Sequence, residues 1–335
     1  MRLIEQVWFD KHKAKWLLVP VLFPFTLLFW LISTLRRIAY KSGVLMSYSV
    51  DIPIIVVGNI GVGGNGKTPI VVYLVELAQT LGLRAGVISR GYGGKAEHYP
   101  YLINEQSTTL QAGDEPILIY QRTKVPVVVG PNRVASAQLL VEQGCDIIIS
   151  DDGLQHYRLQ RDLEIIVMDG KRLSGNGLLL PAGPLREGHW RLKTADLLIY
   201  NGGDVIAQQE HSLHMKLAAS ELVHIKTAKK IPLSDFLTRY ASINAAAGIG
   251  SPQRFFDTLE LLGFTLLQTQ GFVDHKDFTL DDFVTFKSDL ALLMTEKDAV
   301  KCQAFALENW WYLPVNSQFS QQDQQQLKNV IQRIL

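Results

Sequence analysis

The chain has 335 residues, of which 47% are hydrophobic, enough to bury a core and to form two domains of ordinary size. Its 33 Lys and Arg against 32 Asp and Glu leave a net charge of +1. This balance excludes a generally basic surface, so no nucleic-acid partner is expected. Cys145 and Cys302 stand alone, which excludes a disulfide framework and favours a reducing, cytosolic setting.

The N-terminal part departs from this composition. Residues 16–35 carry no charge and are about long enough to cross a bilayer as a helix. Pro20 and Pro24 would weaken a straight spanning helix. We therefore predict a membrane anchor over residues 1–45 that either spans the bilayer or lies at its interface. Basic residues on both flanks leave the topology open: Arg2, Lys11, Lys13, Lys15, Arg36, Arg37 and Lys41.

A phosphate-binding loop follows the anchor. GVGGNGKT, from Gly61 to Thr68, fits G-x-x-x-x-G-K-[ST] and lies between an apolar strand-like run and a helix-like run. In such a loop, backbone N–H groups and Lys67 hold phosphates, and Thr68 can ligate Mg²⁺. A nucleoside triphosphate is therefore the predicted ligand. The nucleotide-binding residues predicted here are Ile60, Gly61, Val62, Gly63, Gly64, Asn65, Gly66, Lys67 and Thr68.

Apolar runs alternate with amphipathic ones over residues 46–207, the predicted kinase domain. This alternation predicts an α/β fold with a mostly parallel sheet, helices on both faces and ligands at the carboxyl ends of the strands. The predicted strands are Ile54–Val57, Ala85–Ser89, Val125–Val129, Asp146–Ser150, Glu164–Met168 and Leu197–Tyr200, and the predicted helices are Pro69–Leu81, Glu115–Thr123 and Asn132–Gln143.

Two pairs of acidic residues lie at the ends of these elements. Asp151 and Asp152 end an apolar strand and suit Mg²⁺ ligation, although Asp-Asp-Gly is also a common turn sequence. Asp114 and Glu115 precede a helix, where they either cap it or act as a base and a metal ligand. Gln155 and His156 follow the first pair and are candidates to contact phosphate or to orient those carboxylates.

Three arginines lie in Gly- or Pro-rich loops that follow strands: Arg90, Arg133 and Arg186. A guanidinium can hold a phosphate through two contacts, whereas a surface arginine merely solvates its loop. One or two of the three are predicted to touch phosphate.

The rest of the chain predicts a second, smaller unit. Residues 208–233, with alternating apolar positions, are predicted to form a hairpin linker, and residues 234–335 a smaller C-terminal α/β lobe. The Gln-rich run 318–326 is predicted to be a solvated helix or tail. His275 stands among acidic residues and is a candidate to orient or relay for a base.

Taken together, these motifs resemble one family, the tetraacyldisaccharide 4'-kinases, or lipid A 4'-kinases, of Gram-negative bacteria. The resemblance covers nearly the whole chain and rests on the anchor, GVGGNGKT, SRGYG at 89–93, GDEP at 113–116, DDGLQH at 151–156, LPAGPLRE at 180–187 and TEKDAVK at 295–301. It implies transfer of the ATP γ-phosphoryl group to the 4'-hydroxyl of a tetraacylated glucosamine disaccharide 1-phosphate, forming lipid IVA in lipid A biosynthesis. It also implies Mg²⁺ and a place at the bacterial inner membrane, with the catalytic domain on the cytoplasmic face.

The resemblance also assigns roles to residues. Asp114 and His275 match the family's base and its partner, with Lys67 and Arg186 counted among the catalytic residues. Thr68, Glu115, Asp151 and Asp152 match the metal site, and Gln155, His156 and Arg133 the surroundings of the nucleotide. Many relatives have a second His after the position of His275, but this chain has Lys276, so that role does not transfer.

Two alternatives remain at this point: a membrane-attached P-loop NTPase that acts as a switch or transporter subunit, and a kinase of another membrane lipid. A GTPase should show Asn-Lys-x-Asp, whereas the nearest candidate, at 296–298, has its Asp one position early. Only the family resemblance distinguishes the acceptor. Membrane lipids are expected partners, and no obligatory protein partner is predicted.

Overall fold

Two β-sheets organise the chain in the computed structural model, which describes residues 3–10, 12–203, 211–287 and 289–335. The strands are β1 Ile54–Gly58, β2 Ala85–Ser89, β3 Tyr101–Leu102, β4 Val127–Val129, β5 Ile147–Asp151, β6 Leu163–Asp169, β7 Leu197–Asn201, β8 Ser212–Ala218, β9 Glu221–His224, β10 Lys230–Pro232, β11 Ser242–Ala247, β12 Thr265–Gly271, β13 Leu292–Thr295, β14 Trp310–Leu313 and β15 Asn316–Gln318. The helices are α1 Leu3–Phe9, α2 Lys15–Lys41, α3 Lys67–Thr80, α4 Thr109–Ala112, α5 Asp114–Thr123, α6 Arg133–Glu142, α7 Leu233–Arg239, α8 Pro252–Leu261, α9 Glu296–Cys302 and α10 Gln321–Gln332. Short 3₁₀ turns cover His189–Lys193 and Leu280–Phe283.

The large sheet has the order β15-β8-β7-β6-β1-β5-β2-β4-β3. Its strands pair in parallel except at the edges, where β15 and β3 are antiparallel to their neighbours. The central strands are buried on both faces because helices cover both. Helices α3, α5 and α10 pack on one face and α6 on the other. The predicted P-loop NTPase-like α/β fold is confirmed.

A smaller sheet forms the second lobe, with the order β10-β9-β14-β13-β11-β12. Its four strands β14, β13, β11 and β12 are parallel, and β9 and β10 form an antiparallel extension. Helices α7 and α8 pack on one face, and α9 with an aromatic cluster on the other. Carboxyl ends of strands and amino ends of helices from both lobes line one cleft.

The predicted hairpin linker is wrong in its pairing. Residues 208–210 lie outside the described residues, but β8 joins the large sheet in parallel with β7, and the actual hairpin is β9 with β10 in the small sheet. Leu213 and Met215 are buried in the large core. An alternating apolar pattern indicates a strand with one buried face, and it does not say which neighbour the strand pairs with.

The C-terminal segment returns to the large lobe. Strand β15 pairs with β8, and Phe319, Leu327 and Ile331 are buried beside Tyr73 and the core of the first sheet. The predicted helix is present, but it is solvated on one face only. Polar glutamines concealed its apolar stripe, since only Leu327, Val330 and Ile331 break the run.

Helix α2 is continuous through Pro20 and Pro24. It is long and apolar enough to cross a membrane, by length and composition alone, and it is largely exposed. Of the flanking basic residues, Arg2 and Lys11 lie outside the described part of the chain. Near its middle, however, Thr26 is only 5% exposed and contacts the large lobe.

Candidate active site

The phosphate-loop segment lies at the carboxyl end of the central strand β1. Lys67 begins α3, so the amino end of this helix faces the same edge of the sheet. Gly66 has φ of +90° and packs directly on Asn201, whose Nδ2 donates to the carbonyl oxygen of Asn65 at 3.2 Å. A side chain at position 66 would be strained and would meet this amide. The loop is therefore held from the end of β7.

Asp152 forms ion pairs with two cations beside this loop. Its carboxylate lies 3.6 Å from Lys67 Nζ and accepts hydrogen bonds from Arg186 Nη1 at 3.2 and 3.1 Å. Burial opposes ionisation of Asp152, but Lys67 and Arg186 outweigh it and lower the pKa of this carboxyl. The three groups are therefore mutually paired at this edge of the sheet.

Asp151, the last residue of β5, is buried beside Asp152. It is 1% exposed, accepts a hydrogen bond from Ser89 Oγ at 3.2 Å and has no hydrogen-bond partner for Oδ1. Burial and the negative charge of Glu115 raise the pKa of Asp151. A buried carboxylate with an unpaired oxygen gains from a cation, so the acids here suit Mg²⁺.

The donor set fits Mg²⁺ better than a metal bound by protein alone. Among the described residues, no group of three or more His, Cys, Asp or Glu side chains is arranged to hold a metal. Mg²⁺ is typically bound by one or two carboxylates together with water and substrate phosphates. Thr68, Glu115, Asp151 and Asp152 line the same cleft and include such carboxylates.

The remaining predicted binding residues support this edge in different ways. Arg133 is buried, donates from Nη2 to the Asp151 carbonyl oxygen at 2.9 Å and leaves Nη1 unpaired, and burial lowers its pKa to about 10. Gln155 donates hydrogen bonds to Asn59 O and Glu187 Oε1.

Ile60 and His156 complete the predicted binding residues. The Ile60 carbonyl oxygen accepts hydrogen bonds from the backbone N–H groups of residues 186 and 187, and the Ile60 side chain is fully buried. Burial lowers the pKa of His156, which lines the cleft.

A second group of side chains lies across the cleft. His275 Nδ1 is 3.1 Å from Asp114 Oδ2, and Lys297 Nζ is 3.8 Å from the same oxygen. Burial opposes ionisation of Asp114, but the hydrogen bond from His275 and the ammonium of Lys297 outweigh it and lower the pKa of Asp114. The hydrogen bond to Asp114 raises the pKa of His275.

Asp114 comes from the large lobe and His275 from the small lobe. Asp114 begins α5, where its Oδ1 accepts the N–H of Glu115 at 2.9 Å. His275 has a φ of +58°, a conformation that non-glycine residues seldom adopt. Both groups line one interlobe cleft of about 2470 Å³ with the phosphate-loop residues, Arg90 and Arg186. This volume exceeds that of a pocket for one small molecule.

Sequence reasoning missed several members of the site. Asn59 and Asn201 hold the loop, Glu187 receives Gln155 and Tyr157, and Tyr92 lies with its ring 5.0 Å from that of His275. The position of Asn201 at a strand carboxyl end was an available signal. Lys297 belongs to the TEKDAVK motif at 295–301, but the sequence did not indicate what this lysine contacts.

The fold and the site define an α/β protein of the P-loop NTPase-like class. A family model described as LpxK: Tetraacyldisaccharide-1-P 4'-kinase matches residues 18–335. The chain belongs to this family.

Individual relatives are similar over nearly the whole chain. The chain is 64% identical to a tetraacyldisaccharide 4'-kinase of Colwellia psychrerythraea over 97% of this chain and 96% of the relative. It is 50% identical to one of Aliivibrio fischeri, with 98% of each chain covered. It is also similar to a crystal structure of "apo" form LpxK from Aquifex aeolicus in complex with ATP. The TM-score is 0.81 at 30% identity, covering 95% of this chain and 99% of the other.

A buried ion pair between the lobes generates a prediction about pH. Glu296, in α9, lies 3.2 Å from Arg122, in α5, and burial raises the pKa of Glu296 to about 7. The folded protein retains a proton that the unfolded chain releases above its ordinary pKa of 4.5. This group therefore makes the free energy of unfolding fall as pH rises from about 4.5 to 7.

We expect Glu296→Gln to flatten this part of the curve, because an amide does not titrate. Urea unfolding between pH 4.5 and 8 in detergent measures the slope, with the exposed Glu97→Gln as control. An unchanged slope in Glu296→Gln would contradict the assignment.

Proposed function

We propose that the chain transfers the γ-phosphoryl group of ATP to the 4'-hydroxyl of tetraacyldisaccharide 1-phosphate, forming lipid IVA. The observation that carries this proposal is that an acid–imidazole pair faces the phosphate loop across a single cleft. Membership of the family supports the choice of donor and acceptor. A kinase needs a positioned hydroxyl and cationic stabilisation of the transferred group, rather than a covalent intermediate.

On the acceptor side, Asp114 is the base. Its lowered pKa keeps it ionised at neutral pH, so it can accept the proton of the attacking hydroxyl as the oxygen bonds to phosphorus. His275 holds the carboxylate through Nδ1. Their position on opposite lobes means that this pair is complete only when the lobes lie together.

On the donor side, Lys67 and Arg186 are proposed to leave Asp152 and to contact the phosphates of ATP when it binds. Both now contact Asp152, and a bound triphosphate would compete for them through charge-assisted hydrogen bonds. Their positive charge then stabilises the negative charge that develops on the transferred phosphoryl group. Thr68, Glu115, Asp151 and Asp152 would hold Mg²⁺, which when bound screens the phosphate charges.

The anchor is proposed to enter the membrane from one side. Trp8 Nε1 donates to Pro181 O at 3.2 Å, and Thr26 Oγ1 accepts from the N–H of Ala182 at 3.0 Å. Both ends of the intervening segment therefore meet the same loop of the large lobe. From Lys15 to Thr26 a helix rises only about 16 Å, roughly half of the hydrocarbon thickness of a bilayer.

The remainder of α2 also stays with the catalytic lobe. Arg36 donates to Gln155 O at 3.2 Å, and the guanidinium of Arg37 lies 3.8 Å from the Trp190 ring centre. The face of α2 that points away from the lobe is apolar, with Leu17, Phe25 and Leu28 each at least half exposed. We propose that this face lies in the cytoplasmic leaflet of the inner membrane, beside the lipid acceptor.

The direct test of the reaction is phosphate transfer. With γ-labelled ATP, Mg²⁺ and tetraacyldisaccharide 1-phosphate in micelles, we expect labelled lipid from the wild type and a loss on the order of 100-fold or more in Lys67→Ala, since the loop loses its phosphate cation. The exposed Lys229→Ala is the matched control. ATP hydrolysis without labelled lipid would favour an NTPase or another acceptor.

The proposed role of Asp114 as the base has its own kinetic test. We expect Asp114→Asn to lower kcat on the order of 10² to 10⁴-fold, the usual contribution of general-base catalysis, with little change in the affinity for ATP. The isosteric amide preserves shape but cannot accept the proton. Steady-state kinetics with varied ATP measure both quantities, with Asp235→Asn on the exposed side of α7 as control. Wild-type turnover in Asp114→Asn would remove this residue as the base.

The one-sided anchor predicts sidedness of labelling. Cysteines introduced by Asp10→Cys and by Lys229→Cys should react with an impermeant maleimide in inside-out vesicles and stay protected in intact spheroplasts. The native Cys145 and Cys302 are buried and give a low background. Labelling of Asp10→Cys in spheroplasts would instead indicate a helix that crosses the bilayer.

A further inference from the structure

Lys297 occupies the centre of the acceptor side of the cleft without a role in the reaction described above. It is the second residue of α9, and its side chain is 17% exposed. Its Nζ lies 3.1 Å from Glu115 Oε1, 3.3 Å from Asp274 Oδ1 and 3.8 Å from Asp114 Oδ2. One ammonium thus contacts carboxylates from both lobes.

The same ammonium also faces the imidazole of His275. Lys297 Nζ lies 3.4 Å from His275 Nε2. An ammonium has donors and no acceptor, so a hydrogen bond here requires Nε2 to present its lone pair. In a neutral imidazole the proton then resides on Nδ1, which is the atom 3.1 Å from Asp114 Oδ2.

The opposite tautomer would be unfavourable at both ends of the ring. A proton on Nε2 would point at a positive ammonium, and the lone pair on Nδ1 would face a carboxylate oxygen. Asp274 lies 3.9 Å from Nε2 and is already in contact with Lys297. The nearest charged group at each ring nitrogen, Lys297 at Nε2 and Asp114 at Nδ1, therefore selects the same proton position.

We propose that Lys297 is a positioning residue that fixes His275 as the Nδ1–H tautomer and so directs its hydrogen bond to Asp114 across the lobe boundary. The effect on turnover rests on the proposed function, since it acts through the base and its partner. The proton position does not, because it is a property of the resting protein. Fixing a tautomer through the second ring nitrogen is a general way to orient a histidine.

A spectroscopic measurement tests the proton position directly. In protein labelled with ¹⁵N-histidine, long-range ¹H–¹⁵N spectra distinguish a protonated from an unprotonated ring nitrogen, and a His275→Gln variant assigns the signals. At a pH above the raised pKa of His275, where the ring is neutral, we expect protonated Nδ1 and unprotonated Nε2 in the wild type and in Lys297→Arg. In Lys297→Met, we expect a mixture that includes Nε2–H.

Kinetics in the same variants measure the consequence. We expect Lys297→Met to lower kcat about 10- to 100-fold, the range for loss of a group that orients a functional ligand, with little change in KM for ATP. Lys297→Arg should recover part of the loss because it restores a cationic donor. The control is Lys276→Met, which removes an ammonium paired with Asp282 in the same loop.

The outcomes separate this inference from the proposed reaction. Nε2–H in the wild type, or an unchanged tautomer in Lys297→Met, would overturn it. A raised Mg²⁺ requirement in Lys297→Met with the tautomer retained would show that the lysine acts through Glu115 instead. If the tautomer changes as expected while the wild type labels no tetraacyldisaccharide, the positioning role stands and the acceptor assignment fails.

Discussion

The site depends on one electrostatic contact between lobes, in which the ammonium of Lys297 lies among carboxylates of Asp114, Glu115 and Asp274. Without a cation, these three neighbouring acids would repel one another and shift toward protonation. Here burial opposes the charge of Lys297, but the surrounding acids raise its pKa. Asp114 and His275 can therefore lie side by side although they belong to different lobes.

Opposite this cluster, the phosphate loop has an analogous balance of charge. Asp152 holds Lys67 and Arg186, and the unpaired oxygen of Asp151 lies on the neighbouring residue. Glu115 links the two clusters, because its charge acts on Asp151 while its carboxylate contacts Lys297. A phosphate and a metal that bind between the clusters would change the partners of all these groups together.

Close backbone packing keeps the part of the cleft around Asp114 in place. A Cβ on Gly94 would lie 2.6 Å from the Gln111 carbonyl oxygen, and one on Gly113 would lie 2.6 Å from the Tyr92 carbonyl oxygen. The loop 91–94 and the start of α5 therefore pack directly against each other. This contact brings the Tyr92 ring to His275 and leaves it 68% exposed in the cleft. Contacts of Thr26 and Arg36 hold α2 against the same lobe and leave its apolar face exposed.

The sequence determined the elements whose signals are local. The central strands are continuous apolar runs because both of their faces are buried, and the predicted bounds of β1, β2, β6 and β7 agree with the structure within one residue. The loop at 61–68 is recognisable because phosphate binding requires glycines and a lysine at fixed spacing.

Only the tertiary structure decided what depends on contacts between distant segments. The sheet to which β8 belongs, the return of α10 to the large core and the place of Lys297 beside His275 depend on pairings across long stretches of chain. An alternating pattern shows that a strand has a buried face, and a charged residue shows that it needs a partner. Neither pattern names the partner, because that choice is made by the packing of the whole chain.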